Sequence, residues 1–307
     1  TATTTYTVTA TDPASGCSTS GTVTVTVNKA PAFTTCPANI TVGTDAGVCT
    51  AVVTYVPVIT GDPAPTVTYQ FSGATTGSGT GDGSGSTFNR GVTTVTITAH
   101  NSCSPDAVCT FTVTVNDDDA PVAPTLSSVT GECSATVTAV PTATDNCSGT
   151  ITGTTTDALT YNTQGTHTIT WSFDDGNGNV STATQTVVVD DVTAPVAPVV
   201  STVTGECSAS VTAPVATDNC VGTVTGTTTD ALTYSTQGTY IITWSFNDGN
   251  GNVSTATQTV VVDDVTAPVA PVLPSVTAEC TVTLTAPTAT DNCAGSITGS
   301  TTDPLTY

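Results

Sequence analysis

Residues 166–173 read THTITWSF, and this stretch decides the fold because apolar and polar side chains alternate along it. Ile169, Trp171 and Phe173 fall on one face, whereas the intervening Thr and Ser residues fall on the other. A period of two is typical of an antiparallel β-strand with one buried and one solvated face. Since no segment of the chain shows a helical period, the sequence predicts an all-β fold.

The sequence around this strand is repeated. Residues 131–191 return almost unchanged at 205–264, and Trp171 and Trp244 are 73 residues apart. A third copy runs from Glu279 to Tyr307, and residues 1–28 read as the last two strands of a further unit. Turn residues recur about every 8–12 positions, which is typical of a β-sandwich. We expect a tandem array of antiparallel β-sandwich domains forming an extended rod, with units at residues 1–29, 30–118, 119–191, 192–264 and 265–307.

The charge balance excludes several classes of partner. The chain has 24 acidic and 2 basic residues, which gives a net charge of −22. Lys29 and Arg90 cannot neutralise phosphates on a useful scale, so nucleic acid is excluded as a partner, and binding to an anionic membrane is disfavoured. No apolar run reaches the ~18–20 residues of a membrane helix, so we expect no membrane insertion in this segment.

Four motifs carry a family resemblance. Residues 36–42 read CPANITV, followed by AGVCTAVVTYVPV at 46–58, STFNRGVTTVTITA at 86–99 and AVCTFTVTVNDDDAP at 107–121. Residues 33–121 therefore resemble a hyalin-repeat (HYR) domain, and the 73-residue repeats align with it more loosely. The resemblance implies an immunoglobulin-like sandwich and a role in extracellular adhesion. The tandem array is similar to giant surface adhesins of gliding, Bacteroidetes-type bacteria.

The 11 cysteines indicate an oxidising, extracellular setting. In three places two cysteines lie 13–14 residues apart, one before a strand and the other in an Asp-Asn-Cys turn. We expect each such pair to form a local disulfide: Cys133–Cys147, Cys207–Cys220 and Cys280–Cys293. Zinc is not expected, because CxxC pairs and companion His residues are absent.

The remaining cysteines are assigned by comparing the units. Cys36 and Cys109 are both missing from the later repeats, which suggests that they pair with each other. Cys49 is then left to pair with Cys103, unless both stay reduced. The partner of Cys17 is expected upstream of the sequence.

Carboxylates offer the only candidate chemistry. We expect Glu132, the turn at Asp145 and the linker Asp190-Asp191 to gather at one end of a unit and to face the Asp248 hairpin of the next. Adjacent carboxylates with no Lys or Arg nearby need a compensating charge, and their oxygens suit Ca²⁺. Alternatively, the acids only form turns and keep the chain soluble. The candidate calcium ligands are Glu132, Asp145, Asp190, Asp191, Asp218, Asp248, Asn250, Asp263 and Asp264.

The Asp-x-Asn-x-Asn spacing at Asp175, Asn177 and Asn179 could also present oxygens to a cation, but a tight hairpin turn is the favoured interpretation.

No set of side chains points to catalysis. Tyr240 occupies the position of His167 in the next repeat, which favours a packed or rim-exposed ring over a general base. Asp174 and Asp175 are adjacent, whereas the carboxyl groups of a glycosidase face each other across a cleft. Trp171 lies in an alternating strand, as does Trp244, so core packing is favoured over a sugar-stacking platform.

These observations predict a non-enzymatic, extracellular stalk or fibre segment of a bacterial surface adhesin or appendage. Its partners would be other domains of the same long chain and neighbouring chains in a fibre, with the surface or glycan ligand left open. One alternative is a carbohydrate-binding accessory module of a secreted glycosidase, which requires exposed aromatic residues. The other is a self-assembling extracellular filament subunit.

Overall fold

A computed structural model describes residues 2–307 of the chain. These residues form strands and turns, and among them no helix is long and apolar enough to cross a membrane. The predicted all-β array of immunoglobulin-like sandwiches is confirmed. The chain divides into two compact bodies: the first comprises the residues up to Ser127 with Thr138–Asp157 and Ile169–Gln185, and the second comprises Ser128–Val137, Ala158–Thr168 and Thr186–Tyr307.

The strands up to residue 116 belong to the first compact body. They are β1 (Ala2–Thr11), β2 (Ser18–Val27), β3 (Lys29–Thr35), β4 (Ile40–Gly43), β5 (Thr50–Val53), β6 (Val58–Asp62), β7 (Thr66–Gly73), β8 (Gly77–Thr80), β9 (Ser86–Asn89), β10 (Gly91–His100) and β11 (Ala107–Asn116). β1 and β2 form an antiparallel hairpin in which Tyr6 lies opposite Val23.

Residues 29–116 form a sandwich. One sheet has the strand order β4-β11-β10-β7-β8, and the other strands pair as β3 with β6 and β5 with β9. Ile40 of β4 lies opposite Val113 of β11 in a parallel register, so the pairing is not wholly antiparallel. The alternation predicted from sequence places Ile97 and Phe111 in the core, where the Tyr55 ring packs edge-on against Phe111 at 4.8 Å. This core fixes the ends of β5 and β11, from which the first functional residues project.

The 73-residue repeats have the same set of strands. In residues 119–191 these are β12 (Val129–Gly131), β13 (Ala135–Thr136), β14 (Thr142–Asp145), β15 (Gly149–Thr152), β16 (Thr160–Tyr161), β17 (Gly165–Asp174) and β18 (Val180–Val189). In residues 192–264 they are β19 (Val203–Gly205), β20 (Ala209–Ser210), β21 (Val215–Asp218), β22 (Gly222–Thr225), β23 (Thr233–Tyr234), β24 (Gly238–Asn247) and β25 (Val253–Val262). β26 (Thr288–Asp291) and β27 (Gly295–Thr298) follow.

Both tryptophans lie in the sandwich cores. Trp171 is 2% exposed and Trp244 is 1% exposed. The indole N–H of Trp171 donates to Oε1 of Gln185 at 3.1 Å, and that of Trp244 donates to Gln258 at 3.0 Å. The period-two pattern therefore predicted the burial of these rings correctly, while the buried glutamine partners satisfy the polar indole nitrogens.

Candidate functional site

The functional residues cluster where one repeat meets the next. The first joint consists of the linker at residues 116–119 and the turns that contact it at residues 145–148 and 175–179. The second joint consists of the linker at 190–193 with the turns at 218–221 and 248–252. The third joint consists of the linker at 263–266 and the turn at 291–294.

A disulfide spans each of the three joints. The bonded pairs are Cys49–Cys147, Cys133–Cys220 and Cys207–Cys293, with Cα–Cα distances of 4.8, 4.9 and 4.9 Å. The predicted local disulfides Cys133–Cys147, Cys207–Cys220 and Cys280–Cys293 are therefore wrong. In every case the cysteine of the Asp-Asn-Cys turn bonds to a cysteine of the preceding unit.

The geometry of the repeat explains why sequence neighbours do not pair. Between Cys207 and Cys220 the chain passes through β20 and β21, which are extended. Extended chain rises about 3.3 Å per residue, so the six residues of these two strands alone span about 20 Å when they run on in one direction. Cysteines can bond only when their Cα atoms approach to about 4.4–6.8 Å, so these two must find partners at opposite ends of the repeat.

Within the sandwich formed by residues 29–116, one of the two predicted disulfides is present and the other is not. The structure joins Cys36 to Cys109, the pair that comparison of the repeats had suggested, with a Cα–Cα distance of 5.8 Å. The proposed Cys49–Cys103 bond is wrong, because Cys49 is bonded across the first joint. Cys103 has no disulfide partner among residues 2–307, and the same holds for Cys17 and Cys280.

The asparagine of each Asp-Asn-Cys turn docks beside the bonded cysteine. Nδ2 of Asn219 donates to Oε2 of Glu132 at 2.7 Å, and Nδ2 of Asn292 donates to Oε2 of Glu206 at 2.5 Å. At the first joint Val48 replaces the glutamate, and Asn146 donates to its backbone carbonyl oxygen at 3.1 Å. The residue before the cysteine of one unit thus receives the asparagine of the next unit at all three joints.

Three carboxylates meet at the first joint. Asp117, Asp145 and Asp175 each bring an oxygen within 4.8 Å of the other two. Oδ1 of Asp145 accepts the N–H groups of Cys147 and Ser148, which leaves its buried Oδ2 without a hydrogen-bond partner. The turn therefore presents an unpartnered carboxylate oxygen to the linker.

Asp117 is the most constrained member of this cluster. It is 8% exposed, and its Oδ1 has no hydrogen-bond partner, while Oδ2 accepts from Nδ2 of Asn177 at 3.0 Å. Burial, reinforced by the charges of Asp145 and Asp175, raises the pKa of Asp117 above its usual range, although Arg90 opposes this rise. An ionised Asp117 is thus destabilised in the absence of an additional cation.

The Asp-x-Asn-x-Asn hairpin supplies the third carboxylate. Gly176 and Gly178 have φ angles of 80° and 106°, which only glycine adopts readily, and they let the chain fold back on Asp175. Oδ1 of Asp175 accepts the N–H groups of Asn177 and Asn179 at 2.7 and 3.1 Å. Burial raises the pKa of Asp175, but hydrogen bonds, led by that from the Asn179 side chain, outweigh it and lower the pKa overall.

The second joint repeats this arrangement. Asp191, Asp218 and Asp248 bring oxygens within 4.8 Å of one another, and Asp191 and Asp248 are 3% and 7% exposed. Oδ2 of Asp191 accepts from Nδ2 of Asn250 at 3.1 Å, whereas the buried Oδ2 of Asp218 has no partner. The position of Arg90 is taken here by neutral Gln164, which accepts the backbone N–H of Asp191.

The third joint holds two carboxylates. Asp264 and Asp291 lie within 4.8 Å of each other and of the Cys293 sulfur, which is already in a disulfide. Backbone N–H groups of Ala294 and Cys293 lower the pKa of Asp291. Thr266 Oγ1 donates to both carboxylate oxygens of Glu206 at 2.9 Å, which ties the linker to the unit before it.

The structure divides the predicted calcium ligands into two groups. Asp191, Asp218, Asp248 and Asn250 do come together. Asp190 and Asp263 are exposed, because the first Asp of each linker pair continues the outward-facing side of its strand.

Glu132 lies within 4.8 Å of Asp191 but is engaged by Thr193 and Asn219. Asp145 ends β14 and lies within 4.8 Å of Asp117 and Asp175, so it belongs to the first-joint cluster.

Two members of the first cluster, Asp117 and Asp175, are not among the calcium ligands predicted from the sequence. Asn116-Asp117 occupies the same place in its linker as Asp190-Asp191 does after β18, and this alignment of linkers is the sequence signal that identifies Asp117. The Asp-x-Asn-x-Asn spacing predicts a hairpin turn at Asp175. Its contacts show that it does organise the hairpin and that it also faces the linker carboxylate.

The aromatic and imidazole side chains show no catalytic arrangement among residues 2–307. His167 stacks on Tyr161 with a centroid distance of 4.3 Å, and Tyr240 stacks on Tyr234 in the same way at 4.2 Å. His100 forms a surface contact of 2.6 Å with Asp106. The exchange of His167 for Tyr240 preserves the stacking, so this position packs the surface of the sandwich.

Comparison with known proteins supports an HYR-like repeat. Residues 120–189 match the family model of an HYR-like domain with 4 cysteines, and this stretch itself carries Cys133 and Cys147. Hyalin from Strongylocentrotus purpuratus is 31% identical over an alignment of 240 residues that covers 68% of this chain. The chain spans 20% of the length of hyalin.

Two solved structures are similar at low identity. A Ca²⁺-stabilized adhesin that helps an Antarctic bacterium bind ice is 16% identical, with a TM-score of 0.33 over 85% of this chain and 81% of the adhesin. The protocadherin GammaB4 extracellular domain is 17% identical, with a TM-score of 0.33 over 87% of this chain and 55% of the protocadherin. These scores carry no information about function.

Proposed function

We propose that this chain is a non-enzymatic, extracellular structural segment of a cell-surface adhesin or appendage, in which disulfide-linked repeats form a stalk. The observation that carries the proposal is the disulfide at each of the three joints. A bond between consecutive units limits their separation, and four disulfides fit an oxidising compartment. The units 1–29, 30–118, 119–191, 192–264 and 265–307 serve as the successive elements of this stalk.

The placement on a bacterial surface rests on the resemblance of the array to giant adhesins of gliding bacteria. Its partners are then other domains of the same long chain and neighbouring chains in a fibre, while a distal domain contacts the surface or glycan ligand. A carbohydrate-binding module is disfavoured because Trp171 and Trp244 are buried, so neither ring is available to stack on a sugar.

The proposal includes calcium at the joints. The donor set fits this cation, since Ca²⁺ takes carboxylate oxygens, and buried oxygens of Asp117, Asp145 and Asp218 have no partner. The cation would neutralise carboxylates that otherwise repel one another at the boundary between two units. Few protein ligands and an extracellular setting correspond to affinities in the millimolar range, about 10⁻⁴–10⁻³ M.

X-ray scattering of the full chain tests the stalk. We expect an extended particle, and a compact particle with units side by side would overturn the structural role.

Calorimetric titration with Ca²⁺, compared with Mg²⁺, tests the cation separately. Wild type should show saturable Ca²⁺ binding, and Asp191→Asn should lose the second-joint contribution. Asp190→Asn is the matched control, because it removes the same charge from the adjacent, exposed position. If wild type shows no saturable binding, or if both variants behave alike, the cation site is wrong while the stalk can still stand.

A further inference from the structure

The Glu279-Cys280 pair repeats the features of an occupied joint. Glu132-Cys133 and Glu206-Cys207 each precede a strand in the same position of their repeat. In both cases the glutamate accepts a hydrogen bond from an incoming asparagine, and the cysteine bonds to the neighbouring incoming cysteine. Two interactions, one polar and one covalent, therefore define the receiving site.

In the described part of the chain, neither the hydrogen bond nor the disulfide is formed at Glu279-Cys280. Cys280 is exposed and has no disulfide partner among residues 2–307, and Glu279 is likewise exposed. The Asp-Asn-Cys turns of this chain are all engaged, since Cys147, Cys220 and Cys293 are each bonded at a joint. The predicted partner Cys293 is thus unavailable to Cys280.

We propose that Glu279 and Cys280 form the receiving half of a further joint, which captures an Asp-Asn-Cys turn of another repeat. The asparagine amide docks on the Glu279 carboxylate and places the adjacent cysteine beside Cys280. This inference extends the stalk proposal but rests on the joint geometry alone, and it is independent of calcium. The other repeat belongs either to the same chain or to a second chain, and both present the same chemistry.

Closure of this joint is a two-electron oxidation. Cys280 and the incoming cysteine each lose one proton and one electron as the sulfur–sulfur bond forms. A small-molecule disulfide such as oxidised glutathione takes up both electrons and both protons and leaves as two thiols. The carboxylate does not take part in this exchange, so Glu279 is a positioning residue.

The same-chain arrangement is tested by appending a second copy of residues 235–307 after Tyr307, which continues the 73-residue period. The extended chain is oxidised in a glutathione buffer and mapped by non-reducing peptide analysis. We expect Cys280 bonded to the appended copy of Cys293. Recovery of Cys280 as an alkylated thiol, or bonded to Cys17, would exclude the same-chain arrangement, and together with equal peptide exchange rates at Cys280 and Cys17 it would overturn the proposal.

Disulfide exchange with a peptide tests whether Cys280 bonds to an Asp-Asn-Cys turn of a second chain. This test does not depend on folding of the appended repeat. The peptide ATDNCVGT, the sequence of residues 216–223, is presented to the 307-residue chain as its mixed disulfide with glutathione. Cys280 should exchange roughly tenfold faster than the exposed Cys17, the preference expected of one charge-assisted hydrogen bond.

The control peptide ATDACVGT and the variant Glu279→Gln should reduce this preference to the level of Cys17. Equal rates at Cys280 and Cys17 with the ATDNCVGT peptide would show that Glu279 does not position the turn. Exchange in the peptide without bonding in the extended chain would assign the site to a second chain.

Discussion

Tension applied to this chain should follow the joint disulfides and bypass most of the polypeptide. The three bonds overlap in sequence, because Cys133 precedes Cys147 and Cys207 precedes Cys220. A covalent path therefore runs from Cys49 through its disulfide to Cys147 and back along the chain to Cys133. It continues through the second disulfide to Cys220, back along the chain to Cys207, and through the third disulfide to Cys293. The strands between these short segments lie in closed loops that carry no tension.

The disulfide path is much shorter than the polypeptide that joins the same two cysteines. Cys49 and Cys293 are 244 positions apart in sequence, a length that extends to roughly 850 Å at about 3.5 Å per residue. The disulfide path contains only the 14 residues back to Cys133 and the 13 residues back to Cys207. These extend to roughly 95 Å, with about 5 Å added at each bond. Unfolding of the repeats therefore cannot lengthen the oxidised chain appreciably.

Single-molecule pulling from the two termini measures the maximum extension of the oxidised chain. The oxidised chain should show no release of whole repeats, and adding a reductant should restore unfolding steps of roughly 250 Å for each 73-residue repeat. Replacing Cys133 and Cys220 by Ser opens one joint. The path from Cys147 to Cys207 then follows 60 residues, which extend to roughly 210 Å.

The matched control removes the disulfide that lies off this path. Replacing Cys36 and Cys109 by Ala should leave the limiting length between Cys49 and Cys293 unchanged. Repeat-sized steps of roughly 250 Å in the fully oxidised wild type would refute the joint pairing, as would a limit that is insensitive to the Cys133→Ser/Cys220→Ser change.

Three further outcomes are expected. Without calcium, Asp117→Asn should raise the unfolding free energy by about 1–2 kcal/mol, because Asp145 and Asp175 each bring a carboxylate oxygen within 4.8 Å of Asp117, and a like-charge pair at that limit costs about 0.9 kcal/mol even at the dielectric constant of water. Asp117→Asn should also abolish any calcium-dependent rise in Tm at the first joint, whereas Asp118→Asn at the neighbouring exposed position should do neither. A lower Tm for Asp117→Asn in chelator would contradict this reasoning. Because the native pKa of Asp117 is raised from 3.8, its contribution to stability without calcium should fall as the pH rises through 3.8 towards the native pKa, and calcium affinity measured by titration should fall as the pH is lowered through the same window. Gln185→Ala should lower the unfolding free energy by about 1–3 kcal/mol in denaturant titrations, since it leaves the buried indole N–H of Trp171 without an acceptor, and an unchanged midpoint would argue against that hydrogen bond.

The sequence by itself determined the elements of the fold. Alternation along residues 166–173 specified which face of β17 is buried, because side chains in a strand point to opposite faces in turn. The same reasoning placed Trp171 and Trp244 in the cores. The Asp-Gly-Asn-Gly-Asn motif specified a hairpin, because its glycines allow the positive φ angles that the turn requires. All of these signals act over a few residues, so they can be recognised in the sequence without a structure.

Only the tertiary structure decided which of these elements meet. Cys133 and Cys147 are close in sequence, yet the extended chain between them separates their ends, and each bonds to a residue more than 80 positions away. Likewise Asp117, Asp145 and Asp175 form one cluster because a linker, a turn and a hairpin converge at the boundary between two units. A strand pattern specifies the direction of side chains but not the pole at which each turn lies. That pole follows from the order and direction of strands in the sandwich and from how one repeat seats against the next.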